Sequence, residues 1–140
     1  MAGDSRSRAA AKETLGGFEL SRLAEPEAVT AFRHHASAFA AEQGGGPELV
    51  EDVALAVSEA VTNAVKYAYG ATPGRSVSLS ASAEDGWLTL RVGDRGTGFG
   101  AGSSDGLGLG LSIIARLCDD LKIVQEGSGT QVLMRFVLSK

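Results

Sequence analysis

An α+β domain is predicted: a two-layer sandwich with a mixed, mostly antiparallel sheet and helices packed on one face. Apolar residues recur at helical spacing in two long stretches and alternate with polar ones in two hairpin-like stretches. One alternating face carries serines and threonine, which suits water better than a second layer. The 140 residues are 44% hydrophobic and include one cysteine, so a packed core forms without a disulfide or a cysteine-based zinc site.

The elements follow in order. Residues 1–15 mix charge, Ser and Ala with no apolar face and are expected to form a disordered tail ahead of a single domain over residues 16–140. From Phe18 the segment FELSRL alternates as a strand, and Glu25-Pro26 opens a helix with proline in its first turn. Its stripe is Val29, Phe32, Ala36 and Phe39, and Gly44-Gly45-Gly46 ends it. Pro47 opens a second helix with the stripe Val50, Val53, Val57, Ala60, Val61, Ala64 and Ala68, stopped by Gly70 and Pro73. Ser76 to Ala83 and Trp87 to Val92 flank Asp85-Gly86, the signature of a hairpin. After a glycine-rich loop comes a helix with Leu111, Ile113, Ile114 and Leu117. Leu121 to Gln125 and Gln131 to Leu138 make a closing hairpin around Gly127-Ser128-Gly129.

A formal charge of -4 without a basic stripe excludes a general nucleic-acid binder. No run of 18 apolar residues and no signal-peptide core is present, so a cytoplasmic protein that does not enter the membrane is expected. Glycine is the compositional anomaly. Of 19 glycines, eight fall within residues 93–110, where they either let the chain move or admit a ligand so close that a side chain would clash. The GxxxxGK[ST] phosphate loop is absent.

Two half-sites emerge, and the long helix adds a third part. Asp94 ends a strand just before Gly96 and Gly98, where its carboxylate would accept a hydrogen bond from an amino group such as that of adenine. Gly106, Gly108 and Gly110 lead into a helix whose bare N–H groups suit phosphates. On the long helix Glu59 and Asn63 lie four residues apart, roughly opposite the valine stripe, with Asp52 two turns earlier. Such a pair reads either as a solvated face or as a base and an Mg²⁺ ligand bordering the glycine loop. His34-His35 reads as solvated, Cys118 as a packed small hydrophobe, and Trp87 as packed on the sheet. Lys66 and Arg95 are candidate phosphate cations.

Ser58-Glu59-Ala60-Val61-Thr62-Asn63-Ala64, Asp94-Arg95-Gly96-Thr97-Gly98, Gly106-Leu107-Gly108-Leu109-Gly110-Leu111 and Gly129-Thr130 resemble, in order, the four boxes of the gyrase, histidine-kinase and mismatch-repair ATPase superfamily. The match spans about residues 18 to 138. The leading strand and helix, the SEAVTNA box and the small size resemble the anti-sigma-factor serine-protein kinases of bacterial partner-switching systems. The resemblance implies a Bergerat-type ATP-binding fold, with ATP and Mg²⁺ as cofactors. It further implies Glu59 as general base toward a partner's serine, Asn63 as Mg²⁺ ligand, and Asp94 as adenine contact. Gly96 and Gly98 would lie against the base, Gly106 to Gly110 with Leu107 and Leu109 would hold phosphates, and Thr130 would close the adenine pocket. Implied partners are a sigma factor, an anti-sigma-factor antagonist of the STAS type and a second copy in a homodimer. Two features depart from the pattern: a short lid, Phe99 to Asp105, and Tyr67 where many relatives have His. The short lid favours an alternative, a nucleotide-dependent binding regulator without transfer. GLGLGLSII suggests another, a histidine-kinase-like catalytic domain acting on a separate chain.

Overall fold

The computed structural model describes residues 12–14, 16–71, 76–94, 104–126 and 129–138, with the backbone alone for 12–14, 67–71, 104–110 and 126. Two short strands, β1 (Lys12–Thr14) and β2 (Gly17–Leu23), precede helices α1 (Pro26–Glu42) and α2 (Pro47–Ala71). The hairpin β3 (Ser76–Glu84) and β4 (Trp87–Asp94) follows, then helix α3 (Ser104–Leu117) and the hairpin β5 (Asp120–Glu126) and β6 (Gly129–Val137). The expected order of elements is present. Lys12–Thr14, assigned from composition to the tail, is instead a strand paired to Gly17–Glu19. Three backbone pairs suffice where the turn at Gly16 returns the chain immediately.

The six strands run β1-β2-β3-β4-β6-β5, and every described pairing is antiparallel. β4 and β5 therefore run parallel to each other on either side of β6. Strands related in this way need a long crossover, which α3 supplies. Period-two alternation sorts the sheet into two faces. Leu79, Ala81, Leu88, Leu90, Val92, Val132, Met134 and Phe136 are buried on one, under the helices, in a core shared with Phe32, Phe39, Val53, Val57, Val61 and Ile114. Ser78, Ser80, Ser82, Thr89 and Arg91 occupy the other.

Turn chemistry placed the boundaries. At the end of α1, Gly45 N–H donates to Ala40 O at 2.9 Å and Gly44 N–H to Ala41 O at 3.0 Å, with Gly44 at φ +94°. That is the two-bond stop in which a glycine adopts the left-handed conformation that a side chain disfavours. Asp85 and Gly86 both have positive φ (54° and 81°), the two-residue hairpin turn whose twist matches the strands. Gly70 does not stop α2, which continues to Ala71; one glycine costs a helix about 1 kcal/mol, less than the packing of the long apolar stripe supplies.

On α1, His34 and His35 are both exposed, as expected of a solvated face. His35 nonetheless lies beside Phe18, ring centroids 6.1 Å apart. Partial burial, then the neighbouring His34 and Arg22 charges, lower its pKa below the ordinary 6.5. The unfolded chain thus takes up this proton first, so stability is full above pH 6.5 and falls as pH drops below it. Replacing His35 with Gln is expected to flatten that acid-side loss. Denaturant titrations at about pH 7.5 and 5.5 would check it, and an unchanged pH dependence would count against the assignment.

Candidate functional site

Among the described residues three polar side chains are buried: Asn63 (7% exposed), Asp94 (6%) and Thr130 (1%). All three belong to the boxes singled out in the sequence. Polar groups enter a core only where their hydrogen bonding is provided for, so each of these positions is held to a particular side-chain chemistry. The β4–β6 register sets Asp94 directly opposite Thr130, and the β3–β4 register sets Val77 opposite Asp94. Asp94, Thr130 and Val77 therefore share one cross-strand row on the helix-covered face, at the end of the sheet where β4 runs out.

The long helix delivers Asn63 to the same end. Near its start α2 lies against the far end of the sheet, because Leu49 and Asp52 share a cavity with Leu117 of α3 and Phe136, Val137 and Leu138. Eleven residues later Asn63 is about 16 Å further along the axis, toward the row of Asp94 and Thr130. The expectation that Glu59 and Asn63 lie opposite the valine stripe is corrected. Asn63 comes seven residues after the fully buried Ala56, so the two project within about 20° of each other. Glu59, one turn earlier, is half-buried on the same edge. Asn63 Nδ2 and Ser58 Oγ are buried and find no hydrogen-bond partner among the described residues.

Asp52 shares that edge but not that place. With Glu48 and Asp119 it lines a cavity of about 420 Å³ at the far end. Burial, then Glu48, Glu51 and Asp119, raise its pKa. Asp119 is itself engaged, its Oδ2 accepting the Val137 N–H at 2.8 Å. Sequence spacing linked Asp52 to Glu59, but a helix edge spans both ends of a sheet.

α3 reaches back to Ser104, so Gly106, Gly108 and Gly110, expected in a loop leading into the helix, lie within its first two turns. The leucines that alternate with them are strong helix formers and offset the glycine penalty. With Leu117 at the far end, the N-terminus of α3 and its unsatisfied N–H groups point toward the end that holds Asp94 and Thr130. Gly96, Gly98 and Arg95 lie outside the described residues, as does Phe99 to Ser103 of the expected lid, and the side chain of Tyr67 is likewise not described. Lys66 is exposed. Cys118 is half-buried, its thiol donates to Ile114 O at 3.2 Å, and burial raises its pKa, in keeping with a packing role. No cluster of three or more His, Cys, Asp or Glu suited to a metal occurs among the described residues, and no helix among them is long and apolar enough to cross a membrane.

Residues 23–136 match the family described as histidine kinase-like ATPase domain. A serine-protein kinase RsbW of Bacillus licheniformis is 34% identical over 92% of this chain and 90% of its own length. An anti-sigma F factor of Clostridium acetobutylicum is 32% identical, covering 84% of this chain and 91% of its own. Among solved structures, the RsbU and RsbW domains of Rv1364c from Mycobacterium tuberculosis superpose with a TM-score of 0.69 at 25% identity, over 87% of this chain. This chain spans a third (33%) of that one. The SiaB-SiaC complex from Pseudomonas aeruginosa gives 0.68 at 16% identity, a likeness of fold.

A buried amide without a partner is a stability cost, of about 1–3 kcal/mol for such a group. Asn63→Ala is therefore expected to leave stability within about 1 kcal/mol of wild type, or to raise it. Val57→Ala, a core truncation on the same helix, should cost about 1–3 kcal/mol. Equal losses from the two in chemical denaturation would mark Asn63 as ordinary packing.

Proposed function

The chain belongs to the histidine kinase-like ATPase domain family, in its anti-sigma-factor serine-protein kinase branch, and from that membership we propose that it is an ATP- and Mg²⁺-dependent serine kinase. In this reading it holds a sigma factor when idle and phosphorylates a serine of an anti-sigma-factor antagonist of the STAS type, in the cytoplasm. The observation that carries the reading is that the buried polar residues of the described core are Asn63, Asp94 and Thr130, with Asp94 and Thr130 directly opposite each other across β4 and β6.

These residues fit a purine nucleotide. Asp94, held by the last ladder pair of β4, offers a carboxylate to an exocyclic amino group, and Thr130 across from it closes the same wall with a hydroxyl. Gly96 and Gly98, two and four residues after Asp94 in the sequence, carry no side chain to obstruct a flat base. The first-turn N–H groups of α3, where Gly106 sits with Gly108 and Gly110 just behind, suit a phosphate chain, with the positive end of the helix dipole supplying charge without lysines. Asn63 offers an amide oxygen to a metal and retains a nitrogen donor with no partner in the described core. Mg²⁺, when bound, neutralises phosphate charge. Glu59, half-buried one turn from Asn63, takes the proton of the partner's serine hydroxyl.

A second reading, a regulator that binds nucleotide and partner without transfer, is supported by one feature. Residues 95–103 alone join β4 to α3, a short span for covering a triphosphate.

Transfer of label from γ-labelled ATP to serine on a candidate antagonist is expected, stable to acid, as phosphohistidine is not. Glu59→Ala should lower the rate by about a hundredfold or more while ATP affinity stays within about twofold. Full transfer by that variant would remove Glu59 as base, and binding without transfer by the native chain would favour the regulator. Asp94→Asn turns an acceptor into a mixed amide and should weaken ATP binding about tenfold or more by calorimetry. Unchanged affinity would leave Asp94 as a turn residue.

A further inference from the structure

All three helices lie on one face of the sheet, which leaves the other uncovered among the described residues. That face is not uniform. Toward β2 and β3 it carries Glu19, Ser21, Ser78, Ser80 and Ser82. Toward β4, β6 and β5 it carries Thr89, Gln131 and Asp120 together with cations and apolar side chains. Arg91 on β4 and Lys122 on β5 stand directly opposite Leu133 of β6, one on each side. Neighbouring strands are about 4.8 Å apart, so the two cations flank the leucine at nearly 10 Å from each other. Arg135, two residues on from Leu133 and on the same face, makes the third corner.

Both Arg91 and Lys122 are exposed, while Leu133 between them is half-buried. Asp120 stands opposite Arg135, yet the guanidinium lies over the Trp87 ring, 4.2 Å from its centroid. An arginine held on an aromatic face keeps its N–H edge available to a carboxylate. The balance of charge is otherwise acidic, -4 overall, so a triangle of cations around one leucine is a local departure. Three cations are too few to follow a nucleic-acid backbone, and the central position is apolar.

We propose that this triangle docks an acidic segment of a protein partner, seating an apolar side chain on Leu133 with carboxylates on either side toward Arg91, Lys122 and Arg135. Charge complementarity orients the segment, and the apolar contact excludes water at its centre. The surface faces away from Asp94 and Thr130, and the inference stands independently of the kinase reading.

Trp87 is the sole tryptophan of the chain and lies against this surface, so its fluorescence reports occupancy. The full chain is titrated with the capped peptide DELED and its charge-reversed counterpart KKLKK, and ¹⁵N amide shifts are followed in parallel. DELED should change Trp87 fluorescence and move the Arg91, Lys122 and Leu133 amides, whereas KKLKK should do neither. The double variant Arg91→Glu, Lys122→Glu should weaken DELED at least tenfold and leave ATP affinity within twofold. If that variant loses its far-UV dichroism, the pair Arg91→Gln, Lys122→Gln replaces it, with an expected loss of threefold or more. Equal response to both peptides, or retention of DELED binding by the variants, would overturn the proposal. So would tighter binding of oligo-dT at the same amides, or a dimer in sedimentation that the charge reversal splits, since a polyanion or a second copy would then own the surface.

Discussion

Everything at the site end depends on the register between β4 and β6. Side chains on a strand alternate between faces with a period of two, so a slip of one residue would turn Asp94 and Thr130 out to water and send Gly93 and Gln131 inward. The register is held by Leu88, Leu90 and Val92 of β4 against Phe136, Met134 and Val132 of β6, all with at most 1% of their surface exposed. Burying such side chains contributes on the order of 1.5–3 kcal/mol each. Two polar groups are thus fixed in place by apolar pairs that have no part in binding.

The helices obey the same economy of position. α2 and α3 run in opposite directions across the covered face, so one brings an amide and a carboxylate to the site end while the other presents its amide dipoles there. The far end gathers what the site end does not use: Glu48, Asp52 and Asp119 around a partly apolar cavity, where burial, and after it the neighbouring acids, raise the pKa of Asp52. Like charges on a helix edge interact according to where the helix takes them, and here it takes them to opposite ends of one sheet.

Much of this was legible in the sequence, and the reasons are local. Asp85-Gly86 fixed a hairpin because few residue pairs accept two positive φ angles in succession, and the glycine run after α1 fixed a stop for a similar reason. Asp94 and Thr130 were visible as members of ordered boxes. Their burial and their pairing were not, since register is a property of two strands together. Asn63 was misplaced for a related reason: the valine stripe marks the centre of a buried arc, and its width depends on how many neighbours the helix has. α2 packs against α1, α3 and the sheet, which widens the arc until it takes in residue 63. The strand Lys12–Thr14 had no pattern of its own and exists through pairing with β2. Lys122 and Leu133 meet within one hairpin, but Arg91 lies far from both in the chain, and only the strand order brings it beside Leu133.

The crossover through α3 has a further consequence. β5 runs parallel to β4 with a gap between them, and the gap is filled by β6, the last strand made. A chain synthesised from its N-terminus therefore acquires Asp94, the glycine boxes and α3 well before it can acquire Thr130 and the central ladder that holds them in place. Until β6 inserts, β4 and β5 each present an unsatisfied edge toward the same slot, and the apolar face of β4 lacks its partner. β6 must be made before the sheet closes, so maturity of the fold and completeness of the site are a single late event rather than two successive ones.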